Sequence, residues 1–351
     1  MSRGRNARRG ILVAVVAVLA VVLVAFGALV VKANSAYEDI RRIDTAWCRT
    51  QSSFKDSTPA AFATGTRDAG PFVDTAPYLM PDYRTVSFPS REGGVTIAAW
   101  WVPATSAGAP AVVLVHGGGR CRGDPEVLLP AGMLHRHGFS VLLIDLRNHG
   151  GSTVTDGHHS FGVHEQTDVL GAWDWLRSAQ SLPAERIGLY GVSLGAESAI
   201  MAMGTEARVA AVWEDSSIAS VEATMPKELA RNHLPEFLLP VTVFAVRLFH
   251  DIDASQVRAL AELHGRPFAI VHGTADDTAD VSNAFLLADA VRNGGGSVEP
   301  WILEGAQHVR ASFVATAEYE RRLVAFFSSA LVPAGTTAAQ RRGDDLPRVR
   351  A

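Results

Sequence analysis

The feature that most constrains the fold is a short stretch in which an apolar strand pattern runs into a Gly-x-Ser-x-Gly pentapeptide. Residues 187–192 are rich in strand formers, the pentapeptide covers 191–195, and apolar residues then return at helical spacing. A serine at such a strand-to-helix turn projects its hydroxyl from the end of the sheet. The pattern predicts that Ser193 is a nucleophile, and that Gly191 and Gly195 are needed because side chains there would collide with neighbouring backbone.

Strand and helix patterns alternate on both sides of this stretch. A hairpin pattern comes first, followed by apolar strand runs that are separated by helical patterns; these strand signals lie at 85–102, 111–115, 140–144, 209–215, 267–273 and 297–303. The alternation predicts a mostly parallel central sheet that is flanked by helices. We expect a catalytic domain over 81–332, with a small helical cap at about 216–263 and a disordered tail over 333–351.

The N-terminal residues predict a membrane helix. Four arginines precede an unbroken apolar run over 11–31, which at about 1.5 Å per residue spans roughly 30 Å, the thickness of one hydrocarbon core. The charge distribution places residues 1–10 in the cytoplasm and the catalytic domain outside the membrane. A secreted protein released by signal cleavage is the alternative, because small residues follow the run. Residues 32–80 are expected to form a membrane-proximal helix and a linker.

Charge and cysteine content limit the partners and the redox state. The formal net charge is −4 at pH 7, so we expect no nucleic-acid partner. The chain has two cysteines, Cys48 and Cys121. In an exported protein they can form a disulfide, and two free thiols are the alternative.

A serine nucleophile needs a histidine base and an acid that orients the base. In a parallel sheet with this turn, the expected chain order is serine, acid, histidine. Asp276 and Asp277 follow one later strand and His308 follows the next, in that order. Spacing alone leaves Asp276 and Asp277 open, and Asp215, after an earlier strand, is a further candidate for the acid.

These motifs together resemble the α/β-hydrolase superfamily, including its membrane-anchored bacterial members, over about 85–331. The matching patterns are His-Gly at 116–117, Asp-x-Arg-x-His-Gly-x-Ser at 145–152, Gly-x-Ser-x-Gly at 191–195, His-Gly-x-x-Asp at 272–276 and Gly-x-x-His at 305–308. The resemblance implies the α/β-hydrolase fold, with Ser193 as nucleophile, Asp276 as acid and His308 as base.

The resemblance also implies a serine hydrolase that cleaves carboxylic esters through an acyl-enzyme. A small-molecule or lipid ester is the expected substrate, and the apolar cap and membrane helix favour hydrophobic acyl chains. A serine peptidase or an acyltransferase would use the same three residues, and a non-catalytic binding protein of the same fold is a further alternative.

The glycine run after the strand at 111–115 predicts an oxyanion hole. The backbone N–H groups of Leu194 and Gly118, with Gly119 as a further candidate, can closely approach a developing negative oxygen. We expect no cofactor, because the glycine-rich loops lack the Gly-Lys-Ser/Thr and Gly-x-Gly-x-x-Gly patterns of phosphate-binding loops. We expect no metal, because three loop histidines lack partnered cysteine or carboxylate spacing; they are His158, His159 and His164. Asp145 and Arg147 are expected to form an ion pair that holds a loop.

Overall fold

The computed structural model describes residues 2–50, 54–66, 70–231, 235–241, 243–244, 255–261 and 263–331. The chain divides into two compact units. One comprises Met1–Arg42 and Thr224–Asp253, and the other comprises Ile43–Ala223 and Ala254–Ala351. The second unit holds the central sheet and every residue of the candidate site.

An eight-stranded sheet forms the centre of this larger unit. Its strands are β1 (Arg84–Pro89), β2 (Thr96–Val102), β3 (Ala111–Val115), β4 (Ser140–Ile144), β5 (Ile187–Val192), β6 (Ala211–Asp215), β7 (Phe268–Gly273) and β8 (Trp301–Leu303). Their spatial order is β1-β2-β4-β3-β5-β6-β7-β8. The β1–β2 and β2–β4 pairs are antiparallel and the others are parallel, which confirms the predicted mostly parallel sheet.

Helices of the larger unit pack on the two faces of this sheet. They are α3 (Pro125–Arg136), α4 (Glu165–Ala179), α5 (Leu194–Thr205), α7 (Gln256–Ala261), α8 (Ser282–Asn293), α9 (Ala311–Val314) and α10 (Thr316–Ala330). The short helix α2 (Trp47–Thr50) precedes the sheet in the chain, and 3₁₀ turns lie at Ala76–Tyr78 and Ala184–Arg186. Val113 and Val115 share one apolar core with α4 and α5, while Val112 and Leu114 share the other with α3 and α10. Both faces of β3 are buried, which explains its unbroken apolar sequence.

The smaller unit contains one long helix, α1 (Ser2–Arg41). Its segment Gly10–Arg41 is long and apolar enough to cross a membrane, with a mean hydropathy of 3.2 in its most apolar window. The expected membrane-proximal helix is continuous with this segment. Residues of the expected cap pack on it, since Phe244 lies 6.4 Å from Phe26 between ring centroids and Val241 packs against Val30. Such a helix serves as an anchor or as a signal sequence.

The segment expected to be a linker packs within the larger unit instead. Phe54, Tyr78 and Met80 are buried. A disulfide joins Cys48 to Cys121, and both cysteines pack against Phe54. Residues 43–50 are thereby tied to the loop that follows β3.

The expected cap is described in part. It contains α6 (Val221–Arg231), a 3₁₀ turn at Glu236–Leu238 and α7. The tail expected over 333–351 lies outside the described residues.

Candidate active site

Ser193 lies at the sharp turn between β5 and α5. Its backbone has φ 51° and ψ −123°, a conformation that residues with a side chain rarely adopt. The Ser193 N–H donates to the Asp215 carbonyl oxygen across 2.9 Å, which fixes the turn to the neighbouring strand. The strand-to-helix context predicted from the pentapeptide is therefore present, with the strained backbone that exposes the serine hydroxyl.

The two glycines of the pentapeptide are required by close backbone approach. A Cβ atom on Gly191 would overlap the Gly195 carbonyl group, and one on Gly195 would overlap the carbonyl oxygen of Val115. Neither obstacle is a flexible side chain. An alanine at either position would therefore push α5 away from the sheet and displace Ser193.

The structure brings Ser193, His308 and Asp276 into one hydrogen-bonded chain. Ser193 Oγ lies 3.0 Å from His308 Nε2, and His308 Nδ1 lies 2.8 Å from Asp276 Oδ2. With the Nδ1–H tautomer, His308 donates to Asp276 and accepts the proton of Ser193. A base within hydrogen-bond reach of a serine, oriented in turn by a carboxylate, is the arrangement that activates a serine hydroxyl.

The carboxylate of Asp276 is fixed and ionised by its surroundings. Its Oδ1 accepts from the Thr278 and Ala279 N–H groups, each across 2.8 Å, and its Oδ2 lies 3.3 Å from His272 Nε2. Burial raises the pKa of Asp276, but its hydrogen bonds with His272 and His308 outweigh burial and lower the pKa below its usual value. Asp276 is therefore negative at neutral pH.

The other two acid candidates lie elsewhere. Asp277 is exposed and its carboxylate contacts the Thr278 hydroxyl, while Asp276 contacts His308. Asp215 accepts hydrogen bonds from the hydroxyls of Tyr319 (2.9 Å) and Ser216 (3.0 Å), and burial raises its pKa to about 6. The Asp215 carboxylate therefore links the end of β6 to α10 through Tyr319 and does not contact His308 in the hydrogen-bonded chain.

Two of the three oxyanion candidates have N–H groups suited to that task. Leu194 is the first residue of α5, so its N–H has no acceptor within the helix. Gly118 is exposed and lines the cavity beside Ser193. The Gly119 N–H, in contrast, donates to His149 Nε2 across 3.0 Å. The prediction for Gly119 is corrected accordingly, because its N–H is engaged in holding the loop.

Two buried histidines to which the sequence analysis assigned no role hold this loop. His149 Nδ1 lies 2.7 Å from the Arg147 carbonyl oxygen, and the His116 Nε2 accepts from the Leu146 N–H across 3.1 Å. Burial lowers the pKa of His149 to about 3 and that of His116 to about 4, so both rings are neutral. Neutral rings can accept from backbone N–H groups. The Asp-x-Arg-x-His-Gly-x-Ser pattern contains His149 and was the available signal.

The expected Asp145–Arg147 ion pair is replaced by ion pairs of each residue with other side chains. Asp145 pairs with Arg122 (3.1 Å), and Arg147 pairs with Asp168 (2.7 Å). The physical reason is that an oppositely charged side chain from another part of the chain contacts each residue. Asp145 meets the Arg122 guanidinium, and Arg147 meets the Asp168 and Glu92 carboxylates.

The loop histidines considered for a metal have other contacts. His158 Nδ1 lies 2.9 Å from the Asp156 carbonyl oxygen, the His159 ring packs on Phe161 at 4.5 Å, and His164 lies 3.5 Å from the Glu92 carboxylate. Among the described residues, no group of three or more His, Cys, Asp or Glu side chains is arranged to hold a metal ion.

A cavity of about 260 Å³ opens beside Ser193. It is slightly smaller than the roughly 300–1,000 Å³ of typical small-molecule sites. Its walls are formed by the glycine loop after β3, by His308 and its neighbours, and by several polar side chains. Besides Ser193, the lining residues are Gly117, Gly118, Arg120, Glu126, Asp277, Thr278, Gln307, His308, Val309 and Arg310. The arrangement can hold a carbonyl compound between the serine hydroxyl and two backbone donors.

Solved structures share this fold. An esterase of Pyrococcus furiosus superposes with a TM-score of 0.58 at 23% identity, over 72% of this chain and 94% of the esterase. An acylaminoacyl peptidase of Pyrococcus horikoshii superposes with a TM-score of 0.53 at 17% identity, over 74% of this chain and 43% of the peptidase. At these identities the likeness shows the fold, and it confirms the expected α/β-hydrolase fold.

Sequence comparison shows the family. An uncharacterized protein of Mycobacterium tuberculosis is 30% identical over 246 residues, which are 68% of this chain and 80% of that protein. Residues 130–333, more than half of the chain, match the prolyl oligopeptidase family. The chain thus belongs to the prolyl oligopeptidase family and is a serine hydrolase of the α/β-hydrolase superfamily.

Proposed function

We propose that this protein hydrolyses carboxylic esters through an acyl-enzyme formed on Ser193. The observation that carries the proposal is the hydrogen-bonded chain from Ser193 through His308 to an ionised Asp276, with distances of 3.0 and 2.8 Å. Two backbone donors, at Leu194 and Gly118, lie beside it. Together these groups supply a nucleophile, a base and charge stabilisation.

The proposed reaction has two halves. Ser193 Oγ attacks the acyl carbonyl while His308 Nε2 takes the hydroxyl proton, and the negative oxygen of the tetrahedral intermediate accepts from the Leu194 and Gly118 N–H groups. His308 returns the proton to the departing alcohol oxygen, which leaves an acyl-enzyme. Water then loses a proton to His308 and attacks the acyl carbon, releasing the carboxylic acid and restoring Ser193.

A labelling experiment tests the nucleophile. The full chain is treated with a fluorophosphonate probe beside Ser193→Ala, with Ser152→Ala as a matched serine control. Labelling of the wild type and Ser152→Ala, and none of Ser193→Ala, is expected. Equal labelling of Ser193→Ala would refute the assignment.

A peptidase is the second candidate function, because the chain belongs to a peptidase-named family. The two activities separate on matched substrates that differ only in the scissile bond. We expect 4-nitrophenyl butyrate to be turned over, and its matched anilide, butyryl-4-nitroanilide, to show no turnover above that of Ser193→Ala. The peptide-like acetyl-alanyl-4-nitroanilide is measured beside them, and turnover of either anilide above that background would favour the peptidase.

We also propose that α1 anchors the protein with its catalytic unit outside the cytoplasm. The disulfide between Cys48 and Cys121 supports an oxidising compartment for that unit. The test is an N-terminal tag on the full chain. The tag should stay on the membrane-bound protein, and its loss from a smaller secreted form would indicate a cleaved signal instead.

A further inference from the structure

Two guanidinium groups border the cavity beside Ser193. Arg120 directly follows the glycines of the oxyanion loop, and Arg310 lies two residues after His308. Their side chains are 26% and 15% exposed, so both are partly shielded from water. Cations placed so close to the reacting serine select among substrates by charge, because partial burial reduces solvent screening.

Neighbouring groups hold both guanidiniums in place. Arg310 Nη1 contacts Glu126 Oε1 at 2.5 Å. The Arg120 guanidinium lies 5.3 Å from the Trp47 ring centroid and 5.8 Å from that of Phe54. A guanidinium carries five N–H donors in a fixed fork, so one protein carboxylate leaves donors for a ligand. Side chains fixed before binding lose little entropy when they bind.

The acidic groups near the cavity compensate the two arginines unequally. Glu126 directly offsets Arg310. Arg120 contacts Asp124 at 3.5 Å, a longer contact than the one between Arg310 and Glu126, so the Arg120 charge is offset less directly. Asp277 also lines the cavity but is exposed, so water screens it.

We infer that the cavity binds an ester whose acyl part carries a carboxylate, with Arg120 as its main partner and Arg310 as the second. The inference rests on the proposed ester hydrolysis. The acyl carbonyl oxygen lies at the Gly118 N–H, and Arg120 is only two residues further along the same loop. A cavity of about 260 Å³ suits a short acyl group. This substrate class differs from the hydrophobic acyl chains expected from the cap and α1.

The test uses two esters that differ in one charge. The mono-4-nitrophenyl ester of adipic acid carries the carboxylate, and its methyl-capped analogue, methyl 4-nitrophenyl adipate, does not. With the wild-type full chain, we expect kcat/KM to be about 10- to 100-fold higher for the charged ester, the range of one charge-assisted hydrogen-bonded contact.

Variants assign this preference to residues. Arg120→Gln should abolish the preference, because it should lower kcat/KM for the charged ester at least about tenfold more than kcat/KM for the capped ester. Arg120→Lys should keep part of it, because the charge remains without the fork. Arg322→Gln, which neutralises an arginine on α10 outside the cavity lining, should leave it unchanged. Fluorophosphonate labelling of each variant reports that its active site is folded.

The possible outcomes distinguish failure of the carboxylate inference from failure of the proposed ester hydrolysis. Turnover of neither ester, in protein that labels on Ser193, would overturn ester hydrolysis itself. Turnover of both esters at equal kcat/KM, or an equal loss on both in Arg120→Gln, would overturn the carboxylate inference alone. A preference for 4-carboxyphenyl over 4-methoxycarbonylphenyl hexanoate, without one in the adipate pair, would place the charge in the alcohol part and overturn the acyl assignment.

Discussion

Replacing His149 by leucine tests whether the oxyanion loop is positioned from behind. The substitution removes the acceptor of the Gly119 N–H (3.0 Å) and the donor to the Arg147 carbonyl oxygen (2.7 Å). His149 is only 3% exposed, so water cannot readily replace either bond. The peptide between Gly118 and Gly119 loses its anchor, although no group that touches the substrate is changed.

The expected magnitude follows from the position of His149. Loss of an oxyanion donor typically lowers the rate by about 10²- to 10³-fold. His149 acts one peptide away, so we expect kcat to fall about 10- to 100-fold, or roughly 1.4–2.8 kcal/mol in the barrier. KM should change less than about threefold, since the bond strengthens in the transition state rather than on binding. The unpaired Gly119 N–H should lower the free energy of unfolding by about 1–3 kcal/mol.

Steady-state kinetics on a 4-nitrophenyl ester and inhibition by a trifluoromethyl ketone provide the assay. The ketone adds to Ser193 and forms a tetrahedral oxyanion, so its affinity should fall by the same factor as kcat/KM. His149→Gln, which can offer an oxygen acceptor near the position of Nε2, should recover most of both losses.

Ser152→Ala is the matched control for a structural effect. Ser152 Oγ donates to the Asp145 carbonyl oxygen (2.6 Å) and accepts from the Ala98 N–H (2.9 Å) in the same loop, without contacting Gly119. It should lower stability and leave ketone affinity unchanged. If His149→Leu loses stability while keeping kcat and ketone affinity, as the control does, then positioning by His149 is refuted.

Three further predictions concern the acid, the pH dependence and the disulfide. Asp276→Asn should lower kcat about 10⁴-fold, as loss of the orienting acid does in other triads, and Asp277→Asn less than about threefold, both measured as ester turnover. Burial, with His116 nearby, holds the pKa of His149 at about 3 in the fold, below its unfolded value of roughly 6.5. The unfolded chain therefore takes up the proton first as pH falls, and stability is lost from about pH 6.5 down to about 3. Urea unfolding measured between about pH 6.5 and 3 gives the change in unfolding free energy per pH unit. We expect this slope to be steeper in the wild type than in His149→Gln by up to about 1.4 kcal/mol per pH unit, and equal slopes would contradict the prediction. Replacing Cys48 and Cys121 by serine opens a link over a sequence separation of 73 and should lower the free energy of unfolding by about 2–4 kcal/mol. Unfolding curves with and without reductant check this. If reductant leaves the unfolding free energy of the wild type unchanged, and that value equals the one of the double variant, the bridge is not stabilising.

The sheet and the turn at Ser193 could be predicted because local sequence dictates them. Val112, Val113 and Leu114 form an unbroken apolar run, and such a run demands burial on both faces. Gly191 and Gly195 are fixed by contacts within one strand–turn–helix unit. The order of serine, acid and histidine follows from which strand ends meet at one edge of the sheet.

The contacts that correct the sequence analysis join residues far apart in the chain. The partner of the Gly119 N–H is His149, 30 residues away, and the hydrophobic periodicity of the sequence does not predict such a pair. Residues 43–80 are rich in small and polar residues, a composition typical of linkers, yet Phe54 and Met80 are buried in the larger unit. The same limit applies to the walls of the cavity, which the fold assembles from separate loops.

The disulfide links the assembly of the site to the route by which the protein is made. Cys121 lies two residues beyond Gly119, and its bridge to Cys48 fastens the loop that carries Gly118 and Arg120. Thiols stay reduced in the cytoplasm, so under the proposed export of the catalytic unit newly made chains have an untethered loop until they leave that compartment. Recombinant protein recovered from a reducing cytoplasm would then represent the enzyme before maturation. Activity assays belong with protein produced in an oxidising compartment.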